Sequence, residues 1–111
     1  MSPDREFLED IVVAARLAYS YAATITRDEL SQNIEKQDSI VRRLAVIGEA
    51  STKVPDHVKA DLPEIPWSSI IGLRNILIHQ YWELDLDELW IIVQRDLPDL
   101  IGAIERYRSL H

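Results

Sequence analysis

Polar side chains interrupt the apolar segment IIGLRNILIHQYWELD of residues 70–85, among them Arg74, Asn75, His79 and Tyr81. A histidine can accept a proton from a ribose 2′-hydroxyl or give one to a leaving oxygen, because its pKa lies near neutral pH. An arginine can bind a phosphate through two parallel hydrogen bonds and stabilise the charge of a transition state. Together these residue types suit cleavage of an RNA phosphodiester without a metal ion.

The spacing limits what a single helix can do with these residues. Each residue turns an α-helix by about 100°, so Asn75 shares a face with His79, and Arg74 shares one with Tyr81. Arg74 and His79 diverge by about 140°. Arg74 and His79 could still contact the same phosphate in three ways. The helix could end near His79, the long Arg74 side chain could reach around the helix, or a second copy of the chain could complete the site. In-line cleavage uses a base and an acid, and two chains would supply two such histidines.

The Arg-x4-His spacing alone is weak evidence, because it recurs from Arg106 to the C-terminal His111. The plain alternative for Arg74 is a solvated or ion-paired helix residue. For His79 it is a helix cap or a hydrogen-bonded core histidine, and for Tyr81 an aromatic packing residue.

Composition narrows the class of protein. The chain has 111 residues, which predicts one domain, residues 1–111. Its net charge of −7 disfavours broad, non-specific nucleic-acid binding, although basic residues within 27–53 leave a local basic site open. No cysteine is present, and no apolar run approaches the roughly 18 residues of a membrane span. The polar start, MSPDREFLED, is unlike a signal peptide, so we expect a cytoplasmic protein without membrane contact.

Apolar residues at helical spacing predict an all-α bundle of four to five helices. The four main segments cover residues 3–26, 31–54, 66–80 and 86–110. The isoleucines of the third segment are also compatible with a strand, but they lack strict alternation and the chain offers no partner strands.

Local signals mark the ends of these segments. Ser2 and Pro3 are typical of a helix start, and Asp85 with Glu88 predicts a capping box. Three prolines make residues 55–66 a loop, with a helical turn near residues 56–60. Pro98 is expected to kink or break the last helix.

The wider sequence resembles the signature of the HEPN superfamily, and its HepT-like toxin branch in particular. The matching motif residues are Trp67, Gly72, Arg74, Asn75, His79 and Tyr81. Upstream, QDSIVRRLAVIGEAS is similar to the second helix of the family, with Asp38, Gly48 and Glu49 in place. DELWIIVQRDLPDLIGAI is similar to its closing helix, including the kink at Leu97-Pro98. The resemblance covers nearly the whole chain.

This resemblance implies an all-α homodimer whose Arg-x4-His pairs face a shared cleft. It implies a metal-independent endoribonuclease in which Arg74 and His79 are catalytic and Asn75 supports them. The protein would be the toxin of a toxin–antitoxin pair, silenced by a nucleotidyltransferase antitoxin of the MntA type. In that branch the tyrosine of His-x-Tyr accepts AMP, a role that maps onto Tyr81. RNA is the implied substrate.

Other polar residues receive structural or minor roles. Glu49 and Asp38 are expected to pair with an arginine, Arg74 or Arg42. Three basic residues could line a rim for RNA, namely Arg42, Arg43 and Lys36, but a solvated helix face is the simpler interpretation. The scattered histidines and the lack of cysteine argue against a metal site. No cofactor is expected, because the chain has no Gly-rich phosphate loop, so the partner would bring ATP.

Two other hypotheses remain open at the sequence level. The chain could be a non-catalytic helical dimer that docks a nucleotidyltransferase and presents Tyr81. It could also be an oligomerising helical protein without a site, although the polar residues inside the Ile-rich segment disfavour this.

Overall fold

The computed structural model describes residues 3–79 and 85–111, and within these ranges every regular element is helical. This confirms the all-α prediction for the described part of the chain. The elements, in order, are α1 (Pro3–Ala22), α2 (Arg27–Ser31), α3 (Ile34–Lys53), α4 (Asp56–Asp61), α5 (Trp67–His79), α6 (Leu86–Ile91), a π-helical turn (Ile92–Asp96) and α7 (Leu97–Leu110).

The two longest helices, α1 and α3, form the centre of the bundle. Each buries one apolar stripe at helical spacing, as the sequence predicts. In α1 the stripe consists largely of alanines, which allow close approach, and α3 is its most extensive neighbour. The buried residues of the two stripes include Ile11, Ala14, Ala15, Ala18 and Ala22 in α1, and Ile40, Leu44, Ile47, Ala50 and Ser51 in α3.

Two short helices complete the N-terminal half. The helical turn predicted near residues 56–60 is confirmed as α4. Helix α2, which was not predicted from the sequence, begins with a capping box between Thr26 and Glu29. Arg27 of α2 bonds Asp87 of α6 at 2.5 Å. Hydrogen bonding to that carboxylate, together with its negative charge, raises the pKa of Arg27.

The C-terminal segment accommodates its proline by widening one turn. The backbone N–H of Leu97 donates to the carbonyl of Ile92, five residues earlier, directly before Pro98. The predicted disruption at Pro98 is confirmed, and it takes the form of a π turn between two helices. Asp85 caps α6, but it accepts from the N–H of Asp87, and no reciprocal bond from Glu88 occurs among the described residues. The predicted capping box is therefore wrong. The predicted cap at Ser2 lies outside the described residues.

Helix α5, which carries the polar residues, agrees with the predicted span of 66–80 to within a residue at each end. It packs mainly on α3. Trp67 anchors its start by donating from Nε1 to the carbonyl of Leu62 at 3.1 Å. Although the helix is rich in isoleucine and leucine, Leu77 is its only fully buried side chain among those described. No helix in the described ranges is long and apolar enough to cross a membrane.

Candidate active site on helix α5

The site begins where α3 and α5 cross, at Gly48 and Arg74. A Cβ atom placed on Gly48 would lie 2.3 Å from the Cβ of Arg74 and 2.9 Å from its Cγ. Side-chain carbons do not approach so closely, so only glycine allows the helices this separation. Gly48 thus lets the stem of Arg74 lie directly against the backbone of α3.

The guanidinium group of Arg74 is held by the residue that follows Gly48. Its Nη2 atom lies 2.5 Å from Oε2 of Glu49, and Nη1 makes a longer contact of 3.4 Å with Oδ1 of Asn75. Nε is buried and has no hydrogen-bond partner among the described residues. Lys53, one turn later, lies 3.7 Å from the same Glu49 carboxylate. The expectation that Glu49 pairs with an arginine is confirmed.

Asn75 and His79 lie on a different side of α5. Both are exposed, and their four-residue spacing places them on one face, as predicted. His79 is the last residue of α5. Within the described ranges no hydrogen bond or ion pair joins it to Arg74. Arg74 does not reach around the helix, because its guanidinium is engaged with α3. Tyr81 lies outside the described residues.

The remaining candidates take no part in this cluster. Asp38 and Arg42 are exposed and form no ion pair within residues 3–79 and 85–111. His111 stacks on Tyr107 with ring centroids 4.2 Å apart, at the C-terminus. In the same ranges no three His, Asp or Glu side chains come together as a metal-ligand set. Gly48 was predicted as a motif residue, but its steric role could not be predicted from its position. The one signal was a glycine inside a long, otherwise well-formed helix.

Comparison with known families agrees with this arrangement. The family model described as "HepT-like: Ribonuclease HepT-like" matches residues 11–107, which include all the helices that build the site. The chain belongs to the HepT-like ribonuclease family. The resemblance to the HEPN superfamily is thereby confirmed.

Named relatives of this HepT-like chain include two archaeal proteins of similar length. "Probable ribonuclease HepT" of Thermococcus cleftensis is 36% identical over 105 residues, covering 95% of this chain and 96% of the relative. "Putative RNase MJ1380" of Methanocaldococcus jannaschii is 35% identical, covering 91% and 93%. A longer protein of the same organism, "Gamma-glutamylcyclotransferase and putative RNase MJ0434", is 32% identical over 42% of its own length. No solved structure matches the chain significantly.

Proposed function

We propose that this member of the HepT-like ribonuclease family is a metal-independent endoribonuclease and the toxin of a toxin–antitoxin pair. One observation carries the proposal: α5 places Arg74 against Gly48 and Glu49, while it presents His79 to solvent at its end. A fixed phosphate-binding group and an accessible proton-transfer group are what such a cleavage uses. Family membership and the ribonuclease names of relatives support the same activity.

In the proposed reaction His79 takes the proton of a ribose 2′-hydroxyl. The 2′-oxygen attacks the neighbouring phosphorus, and the bond from phosphorus to the 5′-oxygen breaks. A second acid protonates the departing 5′-oxygen, which leaves a 2′,3′-cyclic phosphate and a 5′-hydroxyl. Arg74 stabilises the charge on the phosphoryl oxygens. Asn75, on the face of His79, orients the imidazole or contacts the phosphate.

A second copy of the chain is proposed to supply the second histidine. Arg74 and His79 point to different sides of α5, so a single chain does not assemble them around one phosphate. The face of α5 that carries His79 also carries Ile76, which is 42% exposed. Gly72 lies on this face as well, and a Cβ added there would meet nothing within 4 Å. This partly apolar, open face suits a two-fold partner that brings its own His79 into a shared cleft.

Regulation is proposed to act through Tyr81, two residues after His79. A nucleotidyltransferase antitoxin of the MntA type would transfer AMP from ATP to the tyrosine hydroxyl and release pyrophosphate. The added phosphate ester carries negative charge and strong acceptor oxygens. It would repel RNA and compete for Arg74.

Cleavage of RNA in the presence of EDTA tests the activity. We expect wild-type protein to cleave, and His79→Ala to cut roughly 100- to 10,000-fold more slowly, the usual contribution of a general acid–base group. His111→Ala is the matched control, because it removes another exposed histidine outside the site, and its rate should be unchanged. Equal rates for His79→Ala and wild type would remove His79 from the mechanism, and loss of wild-type activity in EDTA would refute metal independence.

Intact-mass measurement after incubation with the candidate antitoxin and ATP tests the regulation. Mass added in AMP steps, absent from Tyr81→Phe and accompanied by lost cleavage, is the expected result. If the antitoxin binds tightly but wild-type protein never cleaves RNA, the chain is the non-catalytic binding module instead.

A further inference from the structure

A second feature of the molecule lies away from Arg74 and His79. A groove of about 680 Å³ runs between α5 and the C-terminal segment, with part of α3 as its floor. We call it the α5–α7 groove. Because α5 packs mainly on α3, the bundle leaves this space between α5 and α7 unfilled. The groove is lined chiefly by apolar side chains, including Leu44, Ile47, Ile70, Leu73, Ile92 and Leu97.

The rim of the α5–α7 groove is acidic. Four carboxylates border it, Glu64, Glu88, Asp96 and Asp99, against the single base Arg106. All four are exposed, and within residues 3–79 and 85–111 Asp96 alone of the four is paired, with Arg95 at 2.9 Å. The other three form no ion pair with any residue in the described ranges. Unpaired like charges around an apolar floor create a negative potential that attracts cationic groups.

Gly102 lines the groove without a side chain that would fill part of it. Gly102 lies in the interior of α7, where glycine is less favourable than alanine. A Cβ placed there would meet only Nη1 of Arg106, at 3.2 Å, which is the far end of a flexible side chain. Packing within the chain therefore does not require glycine at this position, in contrast to Gly48. A larger residue would instead project into the groove.

We propose that the α5–α7 groove docks an amphipathic helix of a partner protein, with apolar residues on one face and lysine or arginine along its flanks. Helices of this kind bind apolar grooves through side chains at i, i+3, i+4 and i+7. RNA does not suit the groove, because its phosphates would face the acidic rim. A two-fold contact between copies through the groove would place this rim against itself. The proposal is independent of the ribonuclease activity, because no groove residue belongs to the Arg74–His79 pair.

Fluorescence anisotropy with a labelled Leu–Lys peptide of about 18 residues, apolar at helical spacing, tests the proposal. The same peptide with glutamate in place of lysine is the probe control. We expect the Leu–Lys peptide alone to bind, and Glu88→Lys or Asp99→Lys to weaken its binding about tenfold. Asp10→Lys makes the same charge change at an exposed acid of α1 outside the groove, and it should have little effect.

Two substitutions of Gly102 distinguish a side chain that fills the groove from a general effect on the fold. Gly102→Leu should abolish peptide binding, whereas Gly102→Ala should retain it, with both variants keeping wild-type helicity by circular dichroism. The proposal fails if the Leu–Lys peptide does not bind, if the Leu–Glu peptide binds equally, or if Asp10→Lys weakens binding as much as Glu88→Lys. It also fails if Gly102→Leu binds normally, or if that variant changes the oligomeric mass, which would assign the groove to a second copy.

Discussion

At the scale of single residues, the feature that distinguishes the candidate site is the contact that holds Arg74. The chain contains a near-identical ion pair elsewhere. Arg74 and Glu49 meet at 2.5 Å with side chains 30% and 46% exposed, and Arg108 and Glu9 meet at 2.5 Å with 28% and 44% exposed. Partly exposed pairs of this kind stabilise a fold by only about 0–1 kcal/mol. The two pairs should therefore contribute similarly to stability, and only the first involves a residue of α5, the helix that also carries His79.

Glu49→Ala is expected to lower RNA cleavage about tenfold, because the guanidinium of Arg74 loses the group that orients it. The free energy of unfolding should fall by no more than about 1 kcal/mol. Glu9→Ala, the matched control, should produce a similar loss of stability without loss of cleavage. Initial rates and urea denaturation measure both quantities. If the two variants cleave equally well, Glu49 does not position Arg74.

At the scale of helices, the crossing of α3 and α5 decides where Arg74 lies. Two glycines near this crossing differ sharply in their surroundings. Gly48 faces the stem of Arg74 at a distance that excludes any side chain, whereas Gly72 on α5 has open space where its side chain would be. The first glycine is required by packing within the chain, and the second is not.

Gly48→Ala should therefore destabilise the fold by about 1–3 kcal/mol, because the helices must separate to admit a methyl group. Cleavage should fall as well, since Arg74 moves with α5. Gly72→Ala should raise the stability of the single chain by roughly 0.5–1 kcal/mol through its better helix propensity. Urea denaturation at low protein concentration measures the free energy of unfolding of both variants. Equal stabilities of the two variants would contradict the close packing of α3 on α5 at Gly48.

At the scale of the whole molecule, apolar surface and charge are distributed unevenly. Among the described apolar side chains of helix α5, Leu77 is fully buried, Trp67, Ile70 and Leu73 are partly buried, and Ile76 is 42% exposed. The net charge of −7 favours separate molecules in solution. Burial of apolar area is the force able to overcome that repulsion. The proposed homodimer therefore depends on the exposed face of α5.

Ile76→Lys should shift the protein from dimer to monomer, because it places a charge in the proposed contact, and cleavage should fall with it. Val13→Lys is the control, since Val13 is an apolar residue of α1 with a similar exposed fraction, 46% against 42%. It should leave the mass unchanged. Light scattering during size-exclusion chromatography measures the mass of each. A wild-type monomer, or equal effects of the two variants, would contradict dimerisation through α5.

Local sequence patterns were sufficient to predict most of the helices and the family. Periodic apolar residues, an aspartate cap at Asp85 and the disruption at Pro98 are local signals, so helix positions followed from them to within a few residues. Helix α2 shows the limit of these signals. Its N-cap residue, Thr26, was assigned to the end of the preceding helix, so the start of α2 at Arg27 was not predicted. The residues around Arg74 and His79 were sufficient to indicate the HepT-like family.

The packing of the helices against one another, in contrast, could not be predicted from these local patterns. The spacing of Arg74 and His79 fixed their divergence on α5 but left open which of them faces the bundle. The structure turns Arg74 towards Gly48 and Glu49, and leaves His79 in solvent. The α5–α7 groove could not be predicted from the sequence either, since the residues that line it are far apart in the chain. The physical reason is the same in both cases: contacts between helices depend on shape and charge at the crossing, which no local periodicity encodes.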